Sequence, residues 1–209
     1  MRAVFVEVPE EVVRHRRQLD LDRFDEMWEG ELHMSPFPSW EHQRIAKDLT
    51  VFFTLHWEQL GEGACGPNVG VKPPGTPDLE LAGEKTPANY RGPDLVFLLT
   101  GNEDRIQGGW VVGAPDAVIE VRSPGDETYQ KLPFYHRLGV SEVIVIQRDS
   151  RAVEIHRRGP AEYERVVPEP NGSVPSQVLD TVFRAERGPD GKPVLRLHRG
   201  RMPDRQGMA

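Results

Sequence analysis

The 209-residue sequence has a single cysteine, Cys65, and no long run of apolar residues. One thiol excludes a disulfide framework and a zinc site built from several cysteines, and it is typical of a reducing compartment. No window approaches the ~18 consecutive apolar residues that a membrane-spanning helix needs, and the N-terminal residues lack the basic and then apolar order of a secretory signal. We therefore expect a cytoplasmic protein without a membrane partner.

The sequence also lacks an excess of positive charge. Its 26 Lys and Arg residues stand against 33 Asp and Glu residues, which gives a formal net charge of −7. Bulk charge therefore does not attract a polyanion, although a local basic groove can still bind one. The signatures of P-loop NTPases, serine hydrolases and zincins are missing too, since there is no glycine-rich phosphate loop, no Gly-x-Ser-x-Gly and no His-Glu-x-x-His.

What the sequence does contain is a series of short apolar segments and two helical patterns. Turn residues bound three apolar runs that we predict to be buried strands: Leu95–Leu99, Ala117–Val121 and Val143–Ile146. Apolar residues at helical spacing predict a long helix over Glu41–Leu60, capped by Ser39, and a shorter helix over Thr128–Leu138. This order predicts an α/β core in which helices flank a central mixed sheet.

Composition divides the chain into three parts. We expect an N-terminal extension over residues 1–24, a central domain over 25–167 and a C-terminal extension over 168–209. An Arg-rich helix is predicted in the first part, and Asp25–Met34, with Gly30 at its centre, alternates like a hairpin. The last part is rich in proline, glycine and charge, which predicts an irregular tail with one strand at Val194–Leu197.

Two acidic residues stand inside or beside the apolar runs. Glu120 interrupts Ala117–Val121, and Asp94 directly precedes Leu95. A buried carboxylate is unfavourable unless it is paired or bound to a cation. Opposite side chains on adjacent strands lie roughly 5 to 8 Å apart, and two carboxylates at that distance can share a divalent cation. Arg122 and Lys131 follow closely, so the pattern is typical of metal-assisted phosphodiester hydrolysis, in which cationic groups neutralise charge on the phosphate.

A less specific interpretation explains the same residues. An acid near a strand end is often a cap or a salt-bridge partner, and Glu120 with Arg122 can form a structural ion pair. Loose matches of this kind are common in sheets, so the pattern alone leaves both interpretations open.

Several motifs follow one another in order along the chain. They are Asp25–Pro36 with His42, Gly92–Phe97, Asp116–Pro124, and Asp126 with Lys131 and Tyr135–Val143. Over about residues 20 to 157 they resemble the Uma family, a group of bacterial proteins described as restriction endonucleases, within the PD-(D/E)XK nuclease superfamily. The resemblance implies a restriction-endonuclease-like core, a Mg²⁺ or Mn²⁺ cofactor and a nucleic acid substrate, which we expect to be DNA.

The resemblance also implies roles for single residues. Asp94 matches the aspartate of the PD element and Glu120 the acid of the (D/E)XK element, so these two are expected to hold the metal ion. The superfamily usually has lysine two positions after that acid, where this sequence has Arg122. In the Uma family the lysine lies in the next helix, and Lys131 fits that position. We expect Lys131 to be catalytic and Arg122 to support it as a fixed charge.

Five further residues are candidates for the edge of the site: Glu26, Glu31, His42, Asp126 and Tyr135. Glutamates in a hairpin are usually solvated, and a histidine in a first helical turn can simply make a local hydrogen bond. Asp126 and Tyr135 can help to position Lys131, although a tyrosine in such a helix is more often packed in the core with its hydroxyl satisfied.

Two functions of different classes fit the sequence. One is a metal-dependent endonuclease, which the presence of Asp94, Glu120 and Lys131 favours. The other is a catalytically silent nuclease-like fold that serves as a binding or assembly module, which the net acidity favours. Affinity for DNA would come from local arginines, the candidates being Arg14, Arg16, Arg17, Arg91, Arg105 and Arg137. Many members of the superfamily are dimers, so a homodimer is expected by analogy.

Overall fold

The computed structural model of the protein describes residues 3–5, 9–19, 22, 24–77 and 88–200. Its helices are α1 (Glu10–Gln18), α2 (Trp40–His56) and α3 (Leu132–Leu138). Its strands are β1 (Ala3–Phe5), β2 (Glu26–Trp28), β3 (Glu31–Met34), β4 (Gly63–Pro67), β5 (Val71–Lys72), β6 (Leu95–Leu99), β7 (Ile106–Gln107), β8 (Trp110–Val112), β9 (Ala117–Arg122), β10 (Glu142–Gln147), β11 (Val153–Arg158), β12 (Tyr163–Arg165), β13 (Val174–Ser176), β14 (Thr181–Arg187) and β15 (Pro193–Arg199). Among these residues no helix combines the length and the apolarity that crossing a membrane requires.

Six strands form the central sheet, in the order β12-β11-β10-β9-β6-β4. Strands β9 and β10 run parallel, and every other neighbouring pair is antiparallel. The predicted apolar runs become the central strands β6, β9 and β10, whose residues are nearly all buried. The prediction of a mixed central sheet is therefore confirmed.

Helices α2 and α3 cover opposite faces of this sheet. Phe53 of α2 packs in one buried cluster with Ile119 of β9, whereas Tyr135 of α3 packs in another with Val118 of the same strand. Successive side chains of a strand point to opposite faces, so odd-numbered residues of β9 face α2 and even-numbered residues face α3. Glu120 therefore points toward the α3 side.

Individual residues set the ends of both helices. The Ser39 hydroxyl accepts a hydrogen bond from the backbone N–H of His42 at 3.3 Å and caps α2. Helix α2 ends earlier than predicted, and a 3-10 turn follows it up to Gly61, which has φ 75°. Pro133 lies in the first turn of α3, where its missing N–H needs no partner, so the predicted helix splits into a 3-10 turn and an α-helix that begins at Leu132.

The N-terminal hairpin is confirmed. Strands β2 and β3 are antiparallel and pair Glu26 with His33, and β1 adds a third strand beside β3. Glu29 and Gly30 form the connection with φ values of 55° and 97°. A two-residue hairpin turn of this type requires positive φ at both positions, which explains the glycine.

The structure differs from the prediction of an irregular C-terminal tail. Strands β13, β14 and β15 form a three-stranded antiparallel sheet, and the predicted strand at Val194–Leu197 is part of β15. Leu179 and Phe183 are fully buried in the same cluster as α2. The buried carboxylate of Glu142 joins this sheet to β10, because it accepts hydrogen bonds from the Ser176 hydroxyl and from two backbone N–H groups beyond it. The division of the chain at residues 24 and 167 stays a prediction.

Candidate active site

The two predicted acids lie on adjacent strands. The antiparallel register pairs Leu95 of β6 with Ile119 of β9, and its continuation by one residue places Asp94 opposite Glu120. Asp94 Oδ2 accepts a hydrogen bond from the backbone N–H of Val121 at 2.6 Å. The Asp94 carboxylate therefore lies against the backbone of the strand that carries Glu120.

Glu120 is almost completely enclosed, with 4% of its surface exposed. Its carboxylate accepts hydrogen bonds from Lys131 Nζ, at 3.1 Å to both oxygens, and from the Tyr135 hydroxyl at 2.7 Å. Burial raises the pKa of Glu120 to about 7; the charge of Lys131 opposes this rise, and the charges of Asp94 and Glu26 add to it. Glu120 is thus a carboxyl group that holds its proton up to a higher pH than an exposed glutamate does.

Lys131 is the cation at the centre of the cluster. Its Nζ lies 2.7 Å from Glu26 Oε1 and 3.1 Å from Glu120 Oε1. Burial lowers the pKa of Lys131, but the charges of Glu120 and Glu26 outweigh that effect and raise it above its ordinary value. Lys131 is therefore a permanent positive charge at neutral pH and not a proton acceptor.

Glu26 occupies a more central place than the sequence indicated. It is 5% exposed, and its carboxylate also accepts hydrogen bonds from the backbone N–H of Gly92 at 3.0 Å and from Trp28 Nε1 at 2.7 Å. The solvated interpretation of the hairpin glutamates therefore does not hold for Glu26. It does hold for Glu31, whose side chain is 47% exposed and lies 3.9 Å from His33.

His42 contacts the other acid. Its Nε2 lies 2.7 Å from Asp94 Oδ1. Burial lowers the pKa of His42, but the hydrogen bond to Asp94 and the charges of Asp94, Glu120 and Asp126 together raise it above its ordinary value. The first turn of α2 therefore lies beside Asp94. His42 was one of the candidates for the edge of the site, and it contacts one of the two predicted acids.

Arg122 lies apart from the two acids. Its guanidinium donates to Gln147 Oε1 at 3.0 Å and lies 4.9 Å from the centroid of the Tyr129 ring. Among the described residues, the ion partner of Glu120 is Lys131 rather than Arg122. The sequence suggested a structural ion pair between Glu120 and Arg122, whereas the structure pairs Glu120 with Lys131.

Asp126 organises the turn between β9 and the segment that carries Lys131. Its two oxygens accept hydrogen bonds from the backbone N–H groups of Ser123, at 2.6 Å, and Thr128, at 3.0 Å. Such bonds fix a tight turn after the strand. Asp126 thereby helps to position the start of the segment in which Lys131 lies.

Arg91 lies beside the candidate site, between the hairpin and α3, and the sequence did not predict this position. It is 3% exposed, and its guanidinium lies 4.3 Å from the ring centroid of Trp28 and 4.2 Å from that of Phe134. It also donates to the carbonyl of Met27 at 2.8 Å, and burial lowers its pKa to about 10. Arg91 joins the hairpin to α3 and is too enclosed to contact a phosphate, which corrects its selection as a DNA-binding residue.

The donor set fits Mg²⁺ or Mn²⁺. Within the ranges that the structure describes, no group of three or more His, Cys, Asp and Glu side chains is arranged to hold a metal ion. Mg²⁺ does not require such a group, because it is commonly held by one or two carboxylates, with waters and substrate phosphates as the other ligands. Asp94 and Glu120 supply two carboxylates of this hard, oxygen-donor type. A cation bound to Glu120 would share its oxygens with Lys131 Nζ.

A mixed sheet with helices on both faces, and with paired acids and a lysine where two central strands adjoin, defines a restriction-endonuclease-like protein. The fold is similar to that of a crystal structure titled as "a putative nuclease belonging to DUF820" from Anabaena variabilis ATCC 29413. The TM-score is 0.57 and the identity 18%, over 74% of this chain and 82% of that one. No curated protein is similar enough to count as a match.

The chain belongs to the Uma2 family, whose description is "Putative restriction endonuclease". The family model matches residues 12–185, which includes the hairpin, the central sheet, β13 and most of β14. The resemblance drawn from the sequence motifs is confirmed, and membership supports a nuclease role.

Proposed function

We propose that this protein is a divalent-metal-dependent endonuclease that hydrolyses phosphodiester bonds of DNA. The observation that carries the proposal is the placement of Glu120 on the strand next to Asp94, with the ammonium group of Lys131 on its carboxylate. Membership of the Uma2 family supports the reaction class.

Asp94 and Glu120 would hold the metal ion, and Lys131 would act on the phosphate. When bound, Mg²⁺ or Mn²⁺ lowers the pKa of a water and polarises the phosphate. Lys131 is cationic at neutral pH, so it can stabilise the negative charge that develops on the phosphate in the transition state. Its raised pKa makes it unsuited to take the proton from the attacking water.

Three further residues would position these groups. His42 fixes one oxygen of Asp94, and the Tyr135 hydroxyl fixes one oxygen of Glu120. Burial, together with the charge of Glu120, raises the pKa of Tyr135 well above its ordinary value, so this hydroxyl remains a donor. Glu26 holds Lys131 through a second ion pair, with Oε1 2.7 Å from Nζ. Each of these contacts restricts a charged side chain to one orientation, which is what an organised site requires.

A binding or assembly module without catalysis is the second candidate. The observation in its favour is that Lys131 already pairs with both Glu120 and Glu26, so that these buried charged groups have partners within the protein. A buried ion network of this kind can serve the fold alone.

Cleavage by purified protein separates the two functions. Plasmid and single-stranded DNA are incubated with Mg²⁺ or Mn²⁺, and we expect cleavage that chelation stops. Asp94→Asn and Glu120→Gln should abolish it, while the exposed control Glu31→Gln should cut like the wild type. Cleavage that survives in both site variants contradicts the nuclease assignment. The absence of cleavage with any divalent ion tested contradicts it as well.

A homodimer is proposed on the superfamily analogy alone. The strands at the two edges of the central sheet are β12 and β4, and either can pair with a second copy. Sedimentation equilibrium is the direct measurement, and a monomer at all concentrations tested contradicts this part of the proposal.

A further inference from the structure

Two aromatic side chains are exposed immediately before the helix that reaches the candidate site. Phe37 is 69% exposed and Trp40 is 80% exposed, more than any other aromatic residue in the part of the chain that the structure describes. Single exposed apolar residues are ordinary on protein surfaces. Two large rings within four residues, next to a cluster of charged groups, call for an explanation.

The backbone that carries Phe37 and Trp40 is conformationally restricted. Pro36 and Pro38 flank Phe37 and restrict the backbone. The Phe37 ring packs edge-on against Phe24 with 6.0 Å between ring centroids, and the Ser39 cap fixes the start of α2 just before Trp40. Both rings are therefore presented to solvent by a defined backbone. We call Phe37 and Trp40 the aromatic platform.

Trp40 directly precedes Glu41 and lies one helical turn before Arg44, and these two residues line a groove rich in arginine. His42, two residues after Trp40, contacts Asp94 at 2.7 Å, and Glu41 between them pairs with Arg151 at 2.9 Å. The groove has a volume of about 390 Å³ and is lined by Glu41, Arg44, Arg148, Asp149, Arg151, Asp190, Lys192, Pro193 and Val194. Arg148 of this groove lies next to the strand that carries Glu120, because its backbone N–H donates to the carbonyl of Arg122 at the end of β9.

Charge alone does not explain binding in this groove. Its lining has four cationic and three acidic side chains, and the whole chain has a net charge of −7. All four cations already pair with acids of the same lining, since Arg44 and Arg151 pair with Glu41. Arg148 pairs with Asp149, and Lys192 pairs with Asp190. A polyanion held here needs a contribution that is not electrostatic, and stacking of bases on aromatic rings supplies one.

We propose that the aromatic platform stacks unpaired bases of a nucleic acid strand whose phosphates follow the arginine groove toward Asp94 and Glu120. The proposal rests on the proposed nuclease function and specifies its substrate as a strand with unpaired bases. In a continuous duplex the faces of the bases are covered by their neighbours, so only an unstacked base can lie on Trp40.

Binding is measured without divalent ions, so that it does not depend on cleavage. Fluorescence anisotropy compares a labelled single-stranded oligonucleotide with the duplex of the same sequence. The Trp40→Ala variant loses one stacking contact, so it should bind the single strand about 5- to 150-fold more weakly than the wild type does. Trp40→Phe keeps a ring and should stay close to the wild type, and duplex binding should be the same for all three proteins.

Leu60→Ala is the matched control, because Leu60 is an apolar residue 66% exposed at the other end of the helical segment. It should bind the single strand like the wild type. Equal single-strand affinity of Trp40→Ala and the wild type overturns the proposal, as does an equal loss for the single strand and the duplex. A second copy of the chain is the other possible occupant of the aromatic platform, and sedimentation equilibrium tests it. If the wild type is a dimer and Trp40→Ala is a monomer, the stacking proposal is overturned and the aromatic platform is a contact between copies.

The outcome is separable from that of the nuclease assignment. If Glu120→Gln abolishes cleavage and Trp40→Ala leaves single-strand binding unchanged, only the aromatic platform is refuted. If Glu120→Gln still cuts DNA, the catalytic assignment fails whatever Trp40 does.

Discussion

Replacing Lys131 by methionine tests the buried charge cluster most fully. Methionine is similarly long and unbranched, but it removes the ammonium group that lies 2.7 Å from Glu26 and 3.1 Å from Glu120. All three side chains are at most 7% exposed, so water cannot easily hydrate the two carboxylates once the ammonium group is gone. Removal of one partner from a buried ion pair typically destabilises a protein by about 3–5 kcal/mol.

The size of this loss should depend on pH. In the wild type the pKa of Glu120 is already raised to about 7 by burial, and without Lys131 it rises further. A carboxyl group with a raised pKa in the folded state holds a proton that the unfolded state has released, so stability falls as pH rises, by about 1.4 kcal/mol per pH unit. Between pH 6 and 8 the variant should therefore lose more stability than the wild type, because its Glu120 carboxyl group stays protonated over more of that range in the folded state.

Chemical denaturation followed by circular dichroism at pH 6, 7 and 8, without divalent ions, measures these differences. Lys131→Met should be closest to the wild type at pH 6, and the additional change Glu120→Gln should recover part of the loss at pH 8. Lys47→Met, at a lysine whose side chain is 68% exposed, is the control and should change the free energy of unfolding by less than about 0.5 kcal/mol. A loss for Lys131→Met that is the same at all three pH values refutes the reasoning.

Three further predictions concern the core, the C-terminal sheet and the hairpin. Phe53→Ala should lower the free energy of unfolding by about 3–5 kcal/mol in denaturant titrations, since Phe53 is fully buried against the sheet; a loss below 1 kcal/mol contradicts the packing. Glu142→Ala should leave the Ser176 hydroxyl and nearby N–H groups unpaired and make β13–β15 sensitive to protease; unchanged digestion contradicts it. Glu26→Gln should slow cleavage about 100-fold by misplacing Lys131, whereas Glu31→Gln should not, and equal rates would contradict the role of Glu26.

The sequence predicted the parts of the fold that depend on local pattern. The apolar runs around Asp94 and Glu120 are continuous because their strands are buried on both faces, and that continuity made the two acids conspicuous. The residue pattern pointed to Lys131 as a nearby cation, but its catalytic role was assigned through the family motifs, since its spacing from Glu120 across a turn and a 3-10 segment has no simple period.

The contacts that were missed join distant parts of the chain. Glu26 meets Lys131 because the hairpin packs against α3, and the alternation within a hairpin does not tell which face will be covered. Arg91 was one of six arginines named as candidates for DNA binding, because arginine is usually exposed, whereas two rings from separate elements enclose it. The C-terminal sheet buries few apolar residues, Leu179 and Phe183 among them, and these are separated by turns, so the segment has the composition of a loose tail.

We propose above all that Asp94 and Glu120 together bind one divalent cation. Anomalous diffraction from crystals soaked in Mn²⁺ measures this directly. We expect one strong peak within ligand distance of both carboxylates, about 2 to 2.5 Å from the nearest oxygen of each, and we expect it to disappear in Glu120→Gln. A map with no peak there, or with Mn²⁺ bound only at other acidic residues while Lys131 still pairs with Glu120, would contradict it.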